Sequence, residues 1–153
     1  MTEKISAYYS KAASYCSIAE RCEQEIIEKM AKWRTPEDEQ QAIINKLIED
    51  DFLNERRYAT AFARDKFRFN QWGRIKISYA LKLKGISSDN IREGLSAIDE
   101  NTYRQTIKKL TVAKQKSIKD ASPSVVYVKT LKYLISKGFE SDIISRILKS
   151  TES

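Results

Sequence analysis

The chain has 153 residues, 41% of them apolar, a formal net charge of +7 and no histidine. That length builds one ordinary core but not two independent catalytic domains. Without histidine there is no Ser-His-Asp or Cys-His nucleophile system, no imidazole acid–base chemistry and none of the usual zinc clusters.

Only 4 Gly and 2 Pro are available for turns, while Lys, Glu, Arg, Ala, Leu and Ile dominate, so an all-α fold is expected. Neither a GxGxxG nor a P-loop pattern is present to cradle a nucleotide phosphate. The expectation is a binding protein, not an enzyme, with no metal and no cofactor. No apolar run approaches the roughly 20 residues of a membrane-crossing helix. The start, MTEKISAYYSKAASYC, lacks the apolar core of a secretory signal. Cys16 and Cys22 fall in a segment that reads as one helix and point to different faces, so no disulfide is expected. A reduced, cytoplasmic protein follows.

Charge is unevenly spread. Residues 1–55 hold 7 Lys/Arg against 12 Asp/Glu, residues 56–86 hold 9 against 1, and residues 87–153 hold 12 against 8. A concentrated positive block attracts polyanions more effectively than a diffuse excess does.

In chain order, the first strong helical pattern runs from Ile18 to Trp33, with Ile26, Ile27 and Met30 apolar and Glu20, Glu23, Glu25 and Glu28 covering the rest. Thr35-Pro36-Glu37-Asp38 reads as a helix start, with Thr35 as N-cap and Pro36 at the first helical position. Ile43, Ile44, Leu47 and Ile48 then form a core-facing stripe.

The next helix runs from about Asn54 to Phe69, with Tyr58, Ala59 and Phe62 on one side and Phe69 nearby. Arg57, Arg64 and Arg68 lie within about 40° of one another on the other side. They form either a solvated face of snorkelling arginines or a row suited to phosphates and carboxylates. A helix over about 74–84 carries two apolar strips, Ile77 with Leu81 and Ile75 with Tyr79 and Leu83. Arg74, Lys76, Lys82 and Lys84 fill the gaps. Two strips predict a helix wedged between neighbours. Gly85 ends it as a left-handed cap, and Ser87 or Ser88 caps a short helix with Ile91, Leu95 and Ile98 inward.

A lysine-rich helix from about Asp99 to Lys119 follows, with Ile107, Leu110 and Ala113 apolar, and Ser122-Pro123 starts another. YLISKGFESDIISRIL (133–148) mirrors ALKLKGISSDNIREGL (80–95) at an offset of 53, with seven identities over 16 positions. The identities fall at cap and core positions, which marks an internal repeat. The first third reads as a degenerate copy whose turn is carried by Thr35-Pro36. Three tandem three-helix repeats, at 1–53 (acidic), 54–99 (strongly basic) and 100–153, would stack into an elongated, curved, all-α molecule.

DDFLNERRYATAFARDKFRFNQWGRIKISYALKLKGIS (50–87) resembles the middle repeat of RecX-family proteins, regulators of the RecA recombinase. Family members commonly carry Gly-Tyr-Gly-Pro-x-Arg-Ile before an L…KGI helix end. Here Gln71-Trp72-Gly73-Arg74-Ile75-Lys76-Ile77 stands in that place, with Gln71 and Arg74 in place of the glycine and proline. KTLKYLISKGF (129–139) resembles the third repeat. The resemblance implies a protein that engages the RecA–DNA filament and reduces its ATPase and strand exchange. Its partners would be the RecA filament and single- and double-stranded DNA, and it would act as a monomer away from membranes.

The resemblance and the charge together give a candidate face of Arg57, Arg64, Arg68, Arg74, Lys76, Lys82 and Lys84. Trp72 is either a plug in the loop or an exposed anchor, and aromatic residues in such places are more often core. The competing reading is a helix-turn-helix regulator that binds DNA without RecA, through the helix–glycine–helix element at 80–95.

Overall fold

The computed structural model describes residues 3–119 and 121–152, without the side chains of 3–6, 151 and 152. These residues form nine α-helices and no strand. They are α1 (Glu3–Ile18), α2 (Glu23–Lys32), α3 (Glu37–Glu49), α4 (Glu55–Asn70), α5 (Arg74–Leu83), α6 (Ser88–Ser96), α7 (Glu100–Ser117), α8 (Pro123–Ser136) and α9 (Ser141–Glu152).

Four helices start on short polar side chains that can satisfy an orphan amide. Asn54, Ser87, Asp99 and Ser122 accept from the backbone N–H of Arg57, Asn90, Thr102 and Val125. Helices α1 to α3 pack on one another, α4 packs on α5 and α6, and α7 and α8 pack with α9. The first group closes over Ile26, Met30, Ile43, Ile44 and Leu47. Helices α4 to α9 share a single continuous core that includes Ile77, Leu81, Tyr103, Leu134 and Phe139.

The repeat is visible in one turn made three times. Backbone N–H groups of Thr35, Ile86 and Phe139 donate to Met30, Leu81 and Leu134 carbonyls at 2.9, 3.1 and 3.2 Å. The residue before each, Arg34, Gly85 or Gly138, has φ of 59°, 80° or 96°. This is the left-handed helix end in which glycine is favoured. The matching positions Ile26, Ile77 and Thr130 are all buried, as are Met30, Leu81 and Leu134.

The first copy thus differs from the sequence expectation. Its turn is carried by Arg34, while Thr35 is buried and Pro36 takes the N-cap position of α3. A side chain in the left-handed region costs about 1 kcal/mol relative to glycine. Arg34→Gly is therefore expected to stabilise the chain by somewhat under ~1 kcal/mol, raising Tm by about 2 °C. Calorimetry checks this, and an unchanged or lowered Tm would contradict it.

Four other expectations change. The helix expected over 18–33 is broken, because Arg21 turns back on α1: its Nε donates to the Tyr15 carbonyl at 3.1 Å and its guanidinium stacks 3.7 Å from the Tyr15 ring centre. Cys16 and Cys22 consequently lie in different elements and different cores, both as free thiols whose pKa burial raises. Ile27, Ile48, Phe69 and Ala113 are exposed instead of lining apolar faces. Helix α5 buries only the Ile77–Leu81 strip and is not wedged; Ile75, Tyr79 and Leu83 face solvent.

Candidate partner and nucleic-acid interface

The loop between α4 and α5 organises the basic segment. Helix α4 ends at Gln71, which takes the left-handed conformation (φ 56°, ψ 41°) that glycine adopts most easily. Gly73 follows as the N-cap of α5, and its amide donates to the Lys137 carbonyl at 2.7 Å. The Ile75 amide donates to the Gly138 carbonyl at 3.0 Å. Two loops, one from each basic repeat, are therefore bonded backbone to backbone.

Arg74 is the first residue of α5, a position where proline would also fit. A proline would lack the amide that here donates to the Tyr103 hydroxyl at 3.0 Å. The Arg74 guanidinium lies 3.9 Å from the Tyr103 ring centre and pairs with Glu140 at 2.8 Å and with Glu100. The Tyr103 hydroxyl in turn donates to Glu140. Arg74 joins the two repeats and its charge is spent inside the molecule.

Arg57 similarly ties α4 to the loops that follow α1 and α3. Its Nε pairs with Glu20 at 2.6 Å, and its other nitrogens reach the Asp51 carboxylate at 3.2 Å and the Asp51 carbonyl at 2.9 Å. Lys84 stands 3.9 Å from Glu25. Among the described residues, Arg64, Arg68, Lys66, Lys76, Lys82 and Lys137 form no ion pair.

Trp72 is half-buried and packs against the second core, with its ring edge-on to Phe62 at 6.4 Å. Part of the residue therefore stays exposed beside its core contact. Lys66 and Lys76 place their ammonium groups 5.0 and 4.6 Å from its ring centre. Lys137 completes the cluster from the next repeat, donating from Nζ to the Asn70 carbonyl at 2.8 Å. Burial, and then the neighbouring Lys76 ammonium, lower the Lys137 pKa. An anion between Lys76 and Lys137 would relieve that repulsion.

Lys66 and Lys137 were not singled out from the sequence. Lys137 had a signal, since it matches Lys84 in the repeat, but only Lys84 finds a carboxylate. Arg64 and Arg68 are exposed, and Arg68 stacks 5.4 Å from Phe69. At 100° per residue they sit about 160° around α4 from Lys66. Lys82 is exposed on α5. The expected face is thus divided: a lysine cluster around Trp72, an arginine pair on the far side of α4, and Arg57, Arg74 and Lys84 in internal ion pairs.

Helix α6, which a helix-turn-helix reading would put in the groove, carries Asp89, Arg92 and Glu93 outward. Arg92 pairs with Asp89 at 3.3 Å and Glu93 with Arg56 at 3.6 Å. No group of His, Cys, Asp and Glu among the described residues could hold a metal ion, and none of their helices is long and apolar enough to cross a membrane.

Residues 54–95 match the family model described as RecX, second three-helix domain. That span contains α4, the loop, α5 and all of α6 but its last residue. The regulatory protein RecX of Clostridium perfringens is 32% identical over 131 residues, covering 84% of this chain and 61% of the relative. The crystal structure of RecX from Lactobacillus salivarius superposes with a TM-score of 0.89 at 26% identity, covering 99% of each chain. The chain belongs to the RecX family. RecX of Bacillus velezensis is 29% identical over 150 residues, covering 98% of this chain and 57% of the relative. This chain spans about 61% of the length of the RecX proteins of Clostridium perfringens strain 13 and Clostridium botulinum strain Eklund 17B. With Gln71 and Arg74 in its loop, the matched span still forms the helices α4, α5 and α6.

Proposed function

We propose that this chain is a regulator without chemistry of its own, which binds the RecA recombinase filament on DNA and slows its ATP hydrolysis and strand exchange. Family membership supports the regulatory role. The observation that carries the binding mode is the cluster of Lys66 and Lys76 over Trp72 with Lys137 beside Lys76, none of them in an ion pair among the described residues. Cations already partnered by carboxylates lose little by staying where they are. These three gain by meeting phosphates or carboxylates, and an indole face between them suits an extruded base or an apolar partner side chain.

In this account the positive segment steers the chain to the filament, and the lysine cluster holds it there. Each phosphate contact would steepen the dependence of log K on log salt by about 0.7 on single-stranded DNA and 0.9 on duplex. Free DNA is the weaker ligand, since only part of the surface is used. The protein acts as a monomer in the cytoplasm.

The test is ATP hydrolysis by the cognate RecA on single-stranded DNA, titrated with this protein from substoichiometric to equimolar. Inhibition with parallel shortening of the filaments is expected. Unchanged hydrolysis, with tight binding to duplex DNA alone, would replace this reading by direct DNA regulation.

A further inference from the structure

The three repeats provide their own control for what the fold requires on each helix face. Helices α2, α5 and α8 end in the same turn, so Gln24, Ile75 and Val128 are equivalent, as are Glu28, Tyr79 and Lys132, and Lys32, Leu83 and Ser136. All nine positions are exposed. Two of the repeats fill them mainly with polar or small side chains. The middle repeat instead presents Ile75 at 56%, Tyr79 at 64% and Leu83 at 63% exposure.

At i, i+4 and i+8 these side chains form a stripe about 12 Å long down one side of α5. Leu95 extends it at one end across the groove, while beyond Leu83 the surface turns acidic with Glu23, Glu28 and Glu55, which marks where the stripe ends. The fold does not need this surface, and water is a poor neighbour for it. On the helical wheel Lys82 lies on one side of the stripe and Lys76 on the other, and neither is in an ion pair among the described residues.

We infer that the α5 stripe is a docking surface for an amphipathic helix of a protein partner, whose apolar ridge is flanked by acidic residues. The apolar positions take the ridge and the two lysines pair with the flanking carboxylates, which is helix-in-groove recognition with a charge filter. Nucleic acid fits less well, because two of the three stripe residues are aliphatic and offer bases no ring to stack on. This surface goes beyond the filament-binding reading, although it shares Lys76 with the lysine cluster: Ile75, Tyr79, Leu83 and Lys82 lie outside that cluster, which could hold phosphates with the stripe empty.

The test uses three fluorescent probes and two forms of the full chain. The probes are a peptide of about three heptads with leucine at its a and d positions and glutamate beside them, the same peptide with lysine for glutamate, and oligo-dT. The forms are the unaltered protein and I75Q/Y79K/L83S, which places at each position the residue another repeat carries there. Melting temperature confirms that both fold. By anisotropy, the glutamate peptide is expected to bind the unaltered protein and to lose about tenfold or more in the variant. That loss is predicted although Y79K adds a positive charge, which purely electrostatic binding would reward. The lysine peptide should bind at least about tenfold more weakly than the glutamate peptide. The inference is overturned if the glutamate peptide fails to bind, or binds both forms alike. It is equally overturned if the variant loses only oligo-dT, or if sedimentation shows the unaltered protein pairing with itself through the stripe.

Discussion

Gly73→Ala is expected to lower stability by about 3 kcal/mol or more, with Tm falling by about 6–12 °C. A methyl group at residue 73 would lie 2.2 Å from the Gly138 carbonyl carbon and oxygen, which are backbone atoms that cannot rotate away. Relief requires the two loops to part, and that breaks the bonds from Gly73 N–H to Lys137 and from Ile75 N–H to Gly138. Because these bonds join the second and third repeats, the lesion should loosen the third repeat against the second. Gly85→Ala provides the comparison: it has a φ of 80° but nothing within 4 Å of its Cβ position. It should cost only about 1 kcal/mol, from backbone strain alone. Urea denaturation of both variants measures the difference. Equal costs would mean that the close approach of the loops is not what the glycine provides.

Arg74→Glu is expected to be nearly as damaging, at about 3 kcal/mol, while Arg68→Glu stays within about 0.5 kcal/mol. Both substitutions change the net charge by the same amount. The first removes a guanidinium stacked on Tyr103 and sets a carboxylate against Glu100 and Glu140. The Arg74 and Glu140 side chains are each only 23% exposed, so water screens the repulsion poorly. Arg68 is exposed and forms no ion pair among the described residues, so reversing it disturbs little. Thermal melts in parallel decide it. A similar loss in both would show that net charge, not the junction, governs stability.

The repeat in the last two thirds was legible because a left-handed helix end demands glycine, and Gly85 and Gly138 keep their surroundings at a fixed offset. The first copy was harder to read because Arg34 fills that position, leaving Thr35-Pro36 as the visible punctuation. Composition revealed the positive middle segment but not which cations are free. Arg57 meets a carboxylate 37 residues earlier, and Arg74 meets ones 26 and 66 residues later. Such pairings are made by tertiary packing and leave no local pattern. Lys137 escaped for the same reason, since its neighbours Asn70 and Lys76 belong to another repeat. On α5 the periodicity exposed two apolar strips correctly. Periodicity cannot say whether anything covers a strip, and only Ile77 and Leu81 are covered.

The central claim is that the lysines around Trp72 hold the chain on the RecA filament. The most direct measurement is binding to a preformed RecA filament on labelled single-stranded DNA, comparing the unaltered protein with K66E/K76E/K137E at several salt concentrations. Melting temperature is read on both proteins first. The account predicts a loss of affinity of at least about 100-fold at low salt, with the log–log salt slope reduced by about 2. Full affinity and an unchanged slope in a folded variant would contradict it, and would move the contact to Arg64 and Arg68 on the far side of α4.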